Sequence, residues 1–423
     1  PKTHVLSSLP PESSIMTDTT SPATPSGNLP KTTGLVLAYG MLISAIGNNF
    51  LITILPPLGR DMGFLEWQVG VILAVGGAFM LVTGPFWGRM SEDWGRKKVI
   101  LIGAVGYVVM TAIFAFTIDM RLAGTISASV CFILMVAVRG LYTMSSGAIY
   151  PATMAMVGDM TSKENRAGGV AIITAAWGFG SVVGPAIAAL FSSLSPTAPF
   201  YIVTVMGVAA LALYVYCLHE PERHKQPSKT GFKHILTPEI LSIATGFMVL
   251  ILANITMVVI LGFHMQDAFG LSTAETARGV GIALFVSAIS QIVIQIGVIP
   301  RLKWSPRRMI NVGTPIAIVA VLLIMNAPTY WTLIGAMAIF GLGSGVGWPA
   351  YMTAASLAAG PENQGSMAGL TGAFQAVAFM IGPIVGTVAY QINVSAPFII
   401  CASLSVVAVV MANVLPMPKP HED

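Results

Sequence analysis

Twelve apolar runs of about 18–25 residues follow one another along this chain, each long enough to cross a hydrocarbon layer roughly 30 Å thick as a helix. They fall at about 34–55, 68–88, 98–117, 126–156, 168–190, 199–218, 239–263, 279–299, 309–326, 331–358, 366–390 and 397–415. Lipid offers backbone N–H and C=O groups no water, so a spanning segment must satisfy them within a helix or a closed barrel. No ten-residue alternation of apolar and polar residues marks barrel strands, which leaves helices. With 55% hydrophobic and only 9% charged residues over 423 positions, the chain does not have the composition of a water-soluble domain. The expected class is an all-α integral membrane protein with twelve transmembrane helices.

The stretch Gly147–Phe200 recurs without a gap at Gly345–Phe398, shifted by 198 residues, with twelve of 54 positions identical. The identities are mostly glycines, prolines and loop polar residues: Pro151-Ala152 on Pro349-Ala350, Glu164-Asn165 on Glu362-Asn363, Gly184-Pro185 on Gly382-Pro383 and Pro199-Phe200 on Pro397-Phe398. Apolar sequence aligns with itself easily, but it rarely keeps such pairs in one register over this length. Two related halves are expected, with six helices in each.

The basic residues set an orientation. With the N-terminus cytoplasmic, 17 of the 21 Lys and Arg fall on the inner side, concentrated in Arg89–Lys98, Lys163–Arg166, Arg223–Lys233 and Arg301–Arg308. Arg60, Arg121 and Arg278 then face outward, and Arg139 lies within a span. This is a positive-inside pattern. It predicts a multi-pass protein of the cell (inner) membrane with both termini cytoplasmic, and it accounts for the +4 net charge without nucleic acid as a partner. The expected organisation is a disordered cytoplasmic tail over 1–33, a six-helix bundle over 34–218, a cytoplasmic linker over 219–238, a second bundle over 239–415 and a cytoplasmic tail over 416–423. Met16 is the expected start of translation, and the first span is expected to serve as its own insertion signal.

Catalytic chemistry finds no foothold. There is no HExxH, no nucleophile elbow and no paired carboxylates, so an enzyme is not expected. Cys131, Cys217 and Cys401 sit in separate spans without metal or redox spacing and read as packing residues. His224 and His234 lie in the linker with no ligand cluster around them, and neither a metal nor a cofactor is expected. The glycine-rich run Gly341–Gly347 lies inside a span with no strand before it, so it reads as helix packing and not as a phosphate loop.

The loop between the second and third spans reads Gly88-Arg-Met-Ser-Glu92-Asp-Trp-Gly95-Arg96-Lys97-Lys98. Gly95 permits a tight turn, the bases hold this end in the cytoplasm, and the carboxylate can lie against a helix N-terminus. A basic loop obeying topology alone is the competing account. The spacing resembles the signature loop of the major facilitator superfamily, with Glu92 where an Asp is usual and Asp93 where an Arg is usual. Arg139-Gly-Leu-Tyr142, Gly147-Ala-Ile-Tyr-Pro151-Ala, Asp159 and Glu164-Asn-Arg166 resemble that superfamily's drug/proton antiporter branch. So does Gly178-Phe-Gly180-Ser-Val-Val-Gly184-Pro185 on the fifth span, although the motif's closing glycines are Ala188 and Ala189 here. The resemblance covers about 34–415. It implies a major facilitator fold of two pseudo-symmetric six-helix bundles, working as a monomer, with a small-molecule substrate held between them and a proton as coupling ion. It also makes Gly88, Glu92, Gly95, Arg96 and Lys97 a gating loop. Independently of family, Gly180, Gly184 and Pro185 predict a closely packed, bent helix, for which ordinary membrane packing is the alternative.

Arg139 is the one full charge placed near a bilayer centre, where insertion costs about 2.5–3.5 kcal/mol, so it should face protein or water and carry a task. Its repeat counterpart is Met337, so the fold itself does not require arginine there. A guanidinium with no internal acid suits a carboxylate or phosphate on a substrate; an arginine tied to backbone carbonyls is the structural alternative. Other polar or aromatic residues expected along the substrate pathway are Asn48, Asn49, Tyr142, Trp177, Asn254, Gln291, Gln295, Trp348, Tyr351 and Gln375, each with a plain helix–helix hydrogen bond as its alternative. No acid lies deep in a span; Glu92, Asp159, Asp267 and His264 are the peripheral titratable candidates. The expected function is proton-coupled export of a small amphiphile, with a permease or facilitator for a small metabolite as the alternative.

Overall fold

The computed structural model describes residues 27–162, 165–221, 236–302, 304–360 and 363–414. Most of the expected tails and linker, with His224 and His234, lie outside the described residues, as do Lys163, Glu164 and Glu362 of the loop corners. The described part of the first tail is not all tail: Lys31, Thr32 and Thr33 already belong to the first helix.

Twelve helices are long and apolar enough to cross a membrane: α1 Lys31–Asp61, α2 Glu66–Trp94, α3 Arg96–Leu122, α4 Ala128–Met160, α5 Arg166–Phe191, α6 Ala198–Cys217, α7 Pro238–Phe269, α8 Thr273–Leu302, α9 Pro306–Met325, α10 Tyr330–Ala359, α11 Gln364–Ile392 and α12 Ala396–Val414. Each overlaps the apolar run expected there, falling short of it by at most two residues at one end, and most run on into polar flanks. Side-chain caps stop several at sharp turns. Ser127, Thr237, Ser305 and Thr329 accept from the first-turn amides of α4, α7, α9 and α10. Ser272 and Glu275 cap each other's backbone at the start of α8.

Two irregularities are local consequences of sequence. In α4 the backbone tightens at Gly147-Ala148, where Ala148 N–H reaches back to Ser145 O instead of a full turn, just before Pro151 removes a donor. In α8 a π-helical turn occupies Ile294–Val298. It interrupts the four-residue register that would stack Gln291 and Gln295 on one face.

The two halves pack as the repeat requires. Within the first half α1 lies along α5, α3 along α4 and α6; within the second, α7 lies along α11, α9 along α10 and α12. Between halves α2 lies along α11 and α5 along α8. Missing side chains set these crossings. A Cβ built on Gly184 would lie 3.0 Å from Ile46 O and 3.2 Å from Asn49 Cβ, and Gly180 meets Leu42 and Ala45 of the same helix, so α5 and α1 approach backbone to backbone. The repeat keeps the arrangement: Gly382 and Gly386 of α11 meet Ile255 and Thr256 of α7. A built Cβ on Gly281 of α8 would lie 2.5 Å from both Pro185 O and Ala189 Cβ, and one on Gly70 of α2 would lie 2.8 Å from Pro383 O. Ala189 replaces the closing glycine of the fifth-helix motif, and the close approach is supplied by Gly281 on the facing helix.

Candidate functional site

Along the four helices that join the halves, the glycines near the end opposite the chain termini are pressed against the other half: Gly70 and Gly77 of α2 on α11, Gly281 of α8 on α5. Toward the end carrying both termini, Gly84 and Gly88 of α2, Gly178 of α5, Gly297 of α8 and Gly372 of α11 have open space where a Cβ would go. The halves meet at the far end and part toward the terminal end.

At the far end they are pinned by charge. Arg60 of α1 forks onto Asp267 of α7, Nη1 to Oδ1 at 2.6 Å and Nη2 to Oδ2 at 3.0 Å. The same guanidinium donates to Glu66 Oε1 at the start of α2, from Nη2 at 2.8 Å and Nε at 3.2 Å. On α11, Tyr390 hydroxyl donates to Asp267 Oδ2 at 2.8 Å and Gln391 Nε2 to Glu66 Oε2 at 3.1 Å. Arg60 also lies 5.0 Å over the Phe263 ring of α7. Four helices, two from each half, thus share one cation and two carboxylates. The sequence marked Arg60 only as outward-facing and Asp267 only as a peripheral acid. Opposite charges at like depth on the first and seventh helices were the available signal.

Arg139 lies within α4. Its residue is 9% exposed, its Nε has no hydrogen-bond partner, and no ion pair reaches it among the described residues. The guanidinium lies 5.1 Å over the ring of Tyr142, one turn on, and against Gly76 of α2, where a Cβ would sit 2.9 Å from Nη2. Tyr142 in turn packs 5.6 Å from Tyr107, whose hydroxyl donates to Ile43 O at 2.9 Å. Glycine at 76 makes room for the charge, and an aromatic face supplies attraction where no carboxylate does.

The other expected pathway residues divide by what they touch. Asn48 Nδ2 donates to Ser44 O, and Asn49 Nδ2 to Ala45 O and Ser181 Oγ, the latter tying α1 to α5. Trp177 is half-buried, 5.7 Å edge-on from the exposed Tyr150. Asn254 and Trp348 share a small cavity of about 20 Å³ within the second half with Ser344 and Thr314, whose buried Oγ1 has no partner. Tyr351 is 1% exposed; its hydroxyl donates to Ala408 O at 2.6 Å and its ring fills the space above Gly246. Its polar group is therefore taken up within its own half. Gln291, Gln295 and Gln375 are half-buried.

At the terminal end Gly95 joins α2 to α3 at φ 104°, the left-handed backbone its loop position calls for. The carboxylate on the α3 N-terminus is not Glu92, which is exposed, but Glu220 just past α6, accepting from Arg96 N at 2.6 Å and Lys97 N at 2.9 Å. Arg96 pairs with Asp159 at 2.9 Å and donates to Ser91 Oγ, tying α3 to the end of α4. Glu220→Ala removes two capping bonds and a favourable dipole contact, about 1 kcal/mol. The melting transition of the solubilised protein should fall by about 1 °C, whereas Glu92→Ala should leave it in place.

Of the four titratable candidates, Glu92 is exposed, Asp159 and Asp267 are held in ion pairs at opposite ends, and His264 is buried with Nε2 3.2 Å from Ile324 O.

Two pseudo-symmetric six-helix halves of membrane-spanning helices, in contact at the end opposite the termini, make the architecture of a membrane transporter. The chain belongs to the Major Facilitator Superfamily, whose family model matches residues 37–325 and 298–423. It is 23% identical over 383 residues to Quinolone resistance protein NorA of Staphylococcus aureus (strain MSSA476), covering 89% of this chain and 94% of that protein. It is 24% identical over 375 residues to Multidrug resistance protein 1 of Bacillus subtilis (strain 168), covering 86% and 91%. Among solved structures its fold matches a D-xylose-proton symporter at TM-score 0.73 and 14% identity, covering 91% and 98% of the two chains. It also matches a bacterial homolog of the human lysosomal transporter Spinster, solved inward-facing and occupied, at TM-score 0.67 and 16% identity, covering 90% and 94%.

Proposed function

We propose that the chain exports a small amphiphilic compound carrying an anionic group, driven by a proton gradient, as a monomer in the cell (inner) membrane with both termini cytoplasmic. The observation that carries this is Arg139: a buried guanidinium at mid-membrane depth with no internal carboxylate, held over Tyr142. A carboxylate or phosphate entering the pathway would complete its hydrogen bonding. The positive-inside orientation makes the pinned end extracellular and the parted end cytoplasmic, so the conformation is one that loads from the cell interior. The two resistance proteins support drug export as the direction. Asn48, Asn49, Trp177, Asn254, Gln291, Gln295, Trp348 and Gln375 are the proposed remainder of the pathway, with the Gly88–Lys97 loop as the inner gate.

One observation favours a facilitator instead: the four titratable candidates sit at the ends of helices or in packing, and none lies beside Arg139. Purified protein in proteoliposomes, screened with amphiphilic anions under an imposed pH gradient, separates the two. Proton movement that depends on substrate supports antiport. Substrate flux indifferent to the gradient leaves the facilitator, and a compound set moved equally well without any anionic group removes the role given to Arg139.

A further inference from the structure

The turn between the second and third helices has a counterpart in the other half. Trp94-Gly-Arg-Lys97-Lys98 recurs, shifted by 210 residues, as Trp304-Ser-Pro-Arg307-Arg308 between α8 and α9. Both copies fold alike. The base at the third position of the new helix lies over the indole, Lys98 Nζ 5.5 Å from the Trp94 ring centre and Arg308 Cζ 5.0 Å from that of Trp304. The charge around them differs. Glu92 and Asp93 precede Trp94, and Glu220 accepts from the first amides of α3. Leu302 and Lys303 hold the matching places before Trp304, and α9 is capped by the neutral Ser305. No Asp or Glu occurs in the sequence between Glu275 and Glu362. Arg301 and Arg308 are exposed, and no ion pair reaches either among the described residues. Arg301 donates from Nη1 to Gly297 O, which leaves the rest of its guanidinium for a further acceptor. The first half supplies an anion of its own at this turn, whereas the second presents a cluster of bases.

The surroundings of Trp304 indicate where the missing anion comes from. The indole is half-buried against the apolar cluster of the second half, at the join of two membrane-crossing helices. An amphipathic ring so placed belongs at headgroup level. Toward the bilayer, α8 leaves Val293 and Ile296 56% and 73% exposed, an apolar surface for acyl chains to cover. A dissolved phosphate would meet the bases and gain nothing from that surface; an anionic phospholipid uses both. We propose that this turn binds the headgroup of an anionic phospholipid in the leaflet at the terminal end, with Arg301 and Arg308 on the phosphate and Trp304 beside the glycerol. A base close to an anionic membrane surface favours association by about fivefold, so two of them suffice to select such a lipid over a zwitterionic one with the same phosphate and chains.

The test uses the full chain in phosphatidylcholine nanodiscs, with Cys131, Cys217 and Cys401 replaced and a fluorophore on Leu302→Cys, an exposed position two residues before Trp304. Nitroxide-labelled phosphatidylglycerol or nitroxide-labelled phosphatidylcholine is added at equal mole fraction, and quenching gives their relative affinity for this spot. Phosphatidylglycerol should be favoured at least fivefold. The preference should fall below twofold in Arg301→Gln/Arg308→Gln and stay in place in Arg89→Gln/Lys98→Gln, the same loss of charge from the same end. An unchanged melting curve checks that the variants fold. Added salt should lower the preference of the labelled parent as well, which tests the charge contribution without any further substitution. Soluble glycerol phosphate in large excess should not relieve the quenching. Equal quenching by the two lipids, a preference indifferent to salt, or an equal fall in both double variants overturns the site. Relief by glycerol phosphate overturns its assignment to a lipid. None of these readouts involves transport, so the result stands or falls apart from the anion-export proposal.

Discussion

Replacing Arg60 by alanine is expected to unpin the two halves at the end opposite the termini and shift the resting population toward the conformation open on that side. The guanidinium is shared between Asp267 of the other half and Glu66 of its own, with side-chain exposures of 27%, 40% and 18% respectively. Partly exposed ion pairs are worth about 0.2–1 kcal/mol each. The geometry here is a bidentate fork with a second carboxylate on the same cation, and both acids accept a further bond from α11. Loss of the whole set should move the equilibrium by about 1–2 kcal/mol, roughly five- to thirty-fold in the ratio of states. Thr387 reports the change, because it is fully buried against Gly70 at this interface. In a background with the three native cysteines replaced, Thr387→Cys should react with an impermeant maleimide at least fivefold faster when Arg60 is alanine. Asp267→Asn should act in the same direction and less strongly, since the amide oxygen still accepts from Arg60 or Tyr390. Arg278→Ala, a charge lost from the same end outside the pin, should leave the rate alone. Labelling that ignores Arg60→Ala would mean that glycine packing, and not the ion pairs, closes this end.

Much of this architecture was legible beforehand because lipid leaves a chain few choices. Twelve apolar runs could become only helices, and the repeat required that what α5 does against α1, α11 does against α7; Gly184 and Gly382 do so. Contacts between halves were less legible. They join residues far apart in sequence, such as Arg60 with Asp267 or Gln391 with Glu66, whose types and depths were visible but whose partners were not. The loop motif shows the same limit. Gly95 could be assigned its turn from residue type alone, whereas the carboxylate capping α3 comes from Glu220, 124 residues away from Arg96, and not from the adjacent Glu92. Tyr351 illustrates the remaining ambiguity: a polar aromatic in a span serves a pathway or a neighbouring helix, and only the position of Ala408 O distinguishes them.

Arg139→Met is expected to separate function from fold. The repeat places Met337 at the equivalent position of α10, fully buried, so a methionine there is already compatible with this helix pairing. An isolated arginine at the centre of a span costs about 2.5–3.5 kcal/mol to insert. What it recovers here is the Tyr142 ring, worth about 2 kcal/mol when desolvated, and no ion pair among the described residues. Methionine is unbranched and flexible enough to follow the same path over Tyr142 beside Gly76. The variant should therefore melt at the same temperature as the parent or a little above it. Transport of an anionic substrate should nevertheless fall at least a hundredfold, about 2.7 kcal/mol, which is the range for truncating one partner of a buried charge pair. Arg139→Lys supplies the decisive comparison. A charge alone would restore much of the flux, whereas a requirement for the planar two-pronged donor would leave lysine nearly as inactive as methionine. If instead Arg139→Met lowers the melting temperature markedly and any lost flux follows the loss of folded protein, the arginine is a structural brace between α4 and α2, and the anion must be recognised elsewhere.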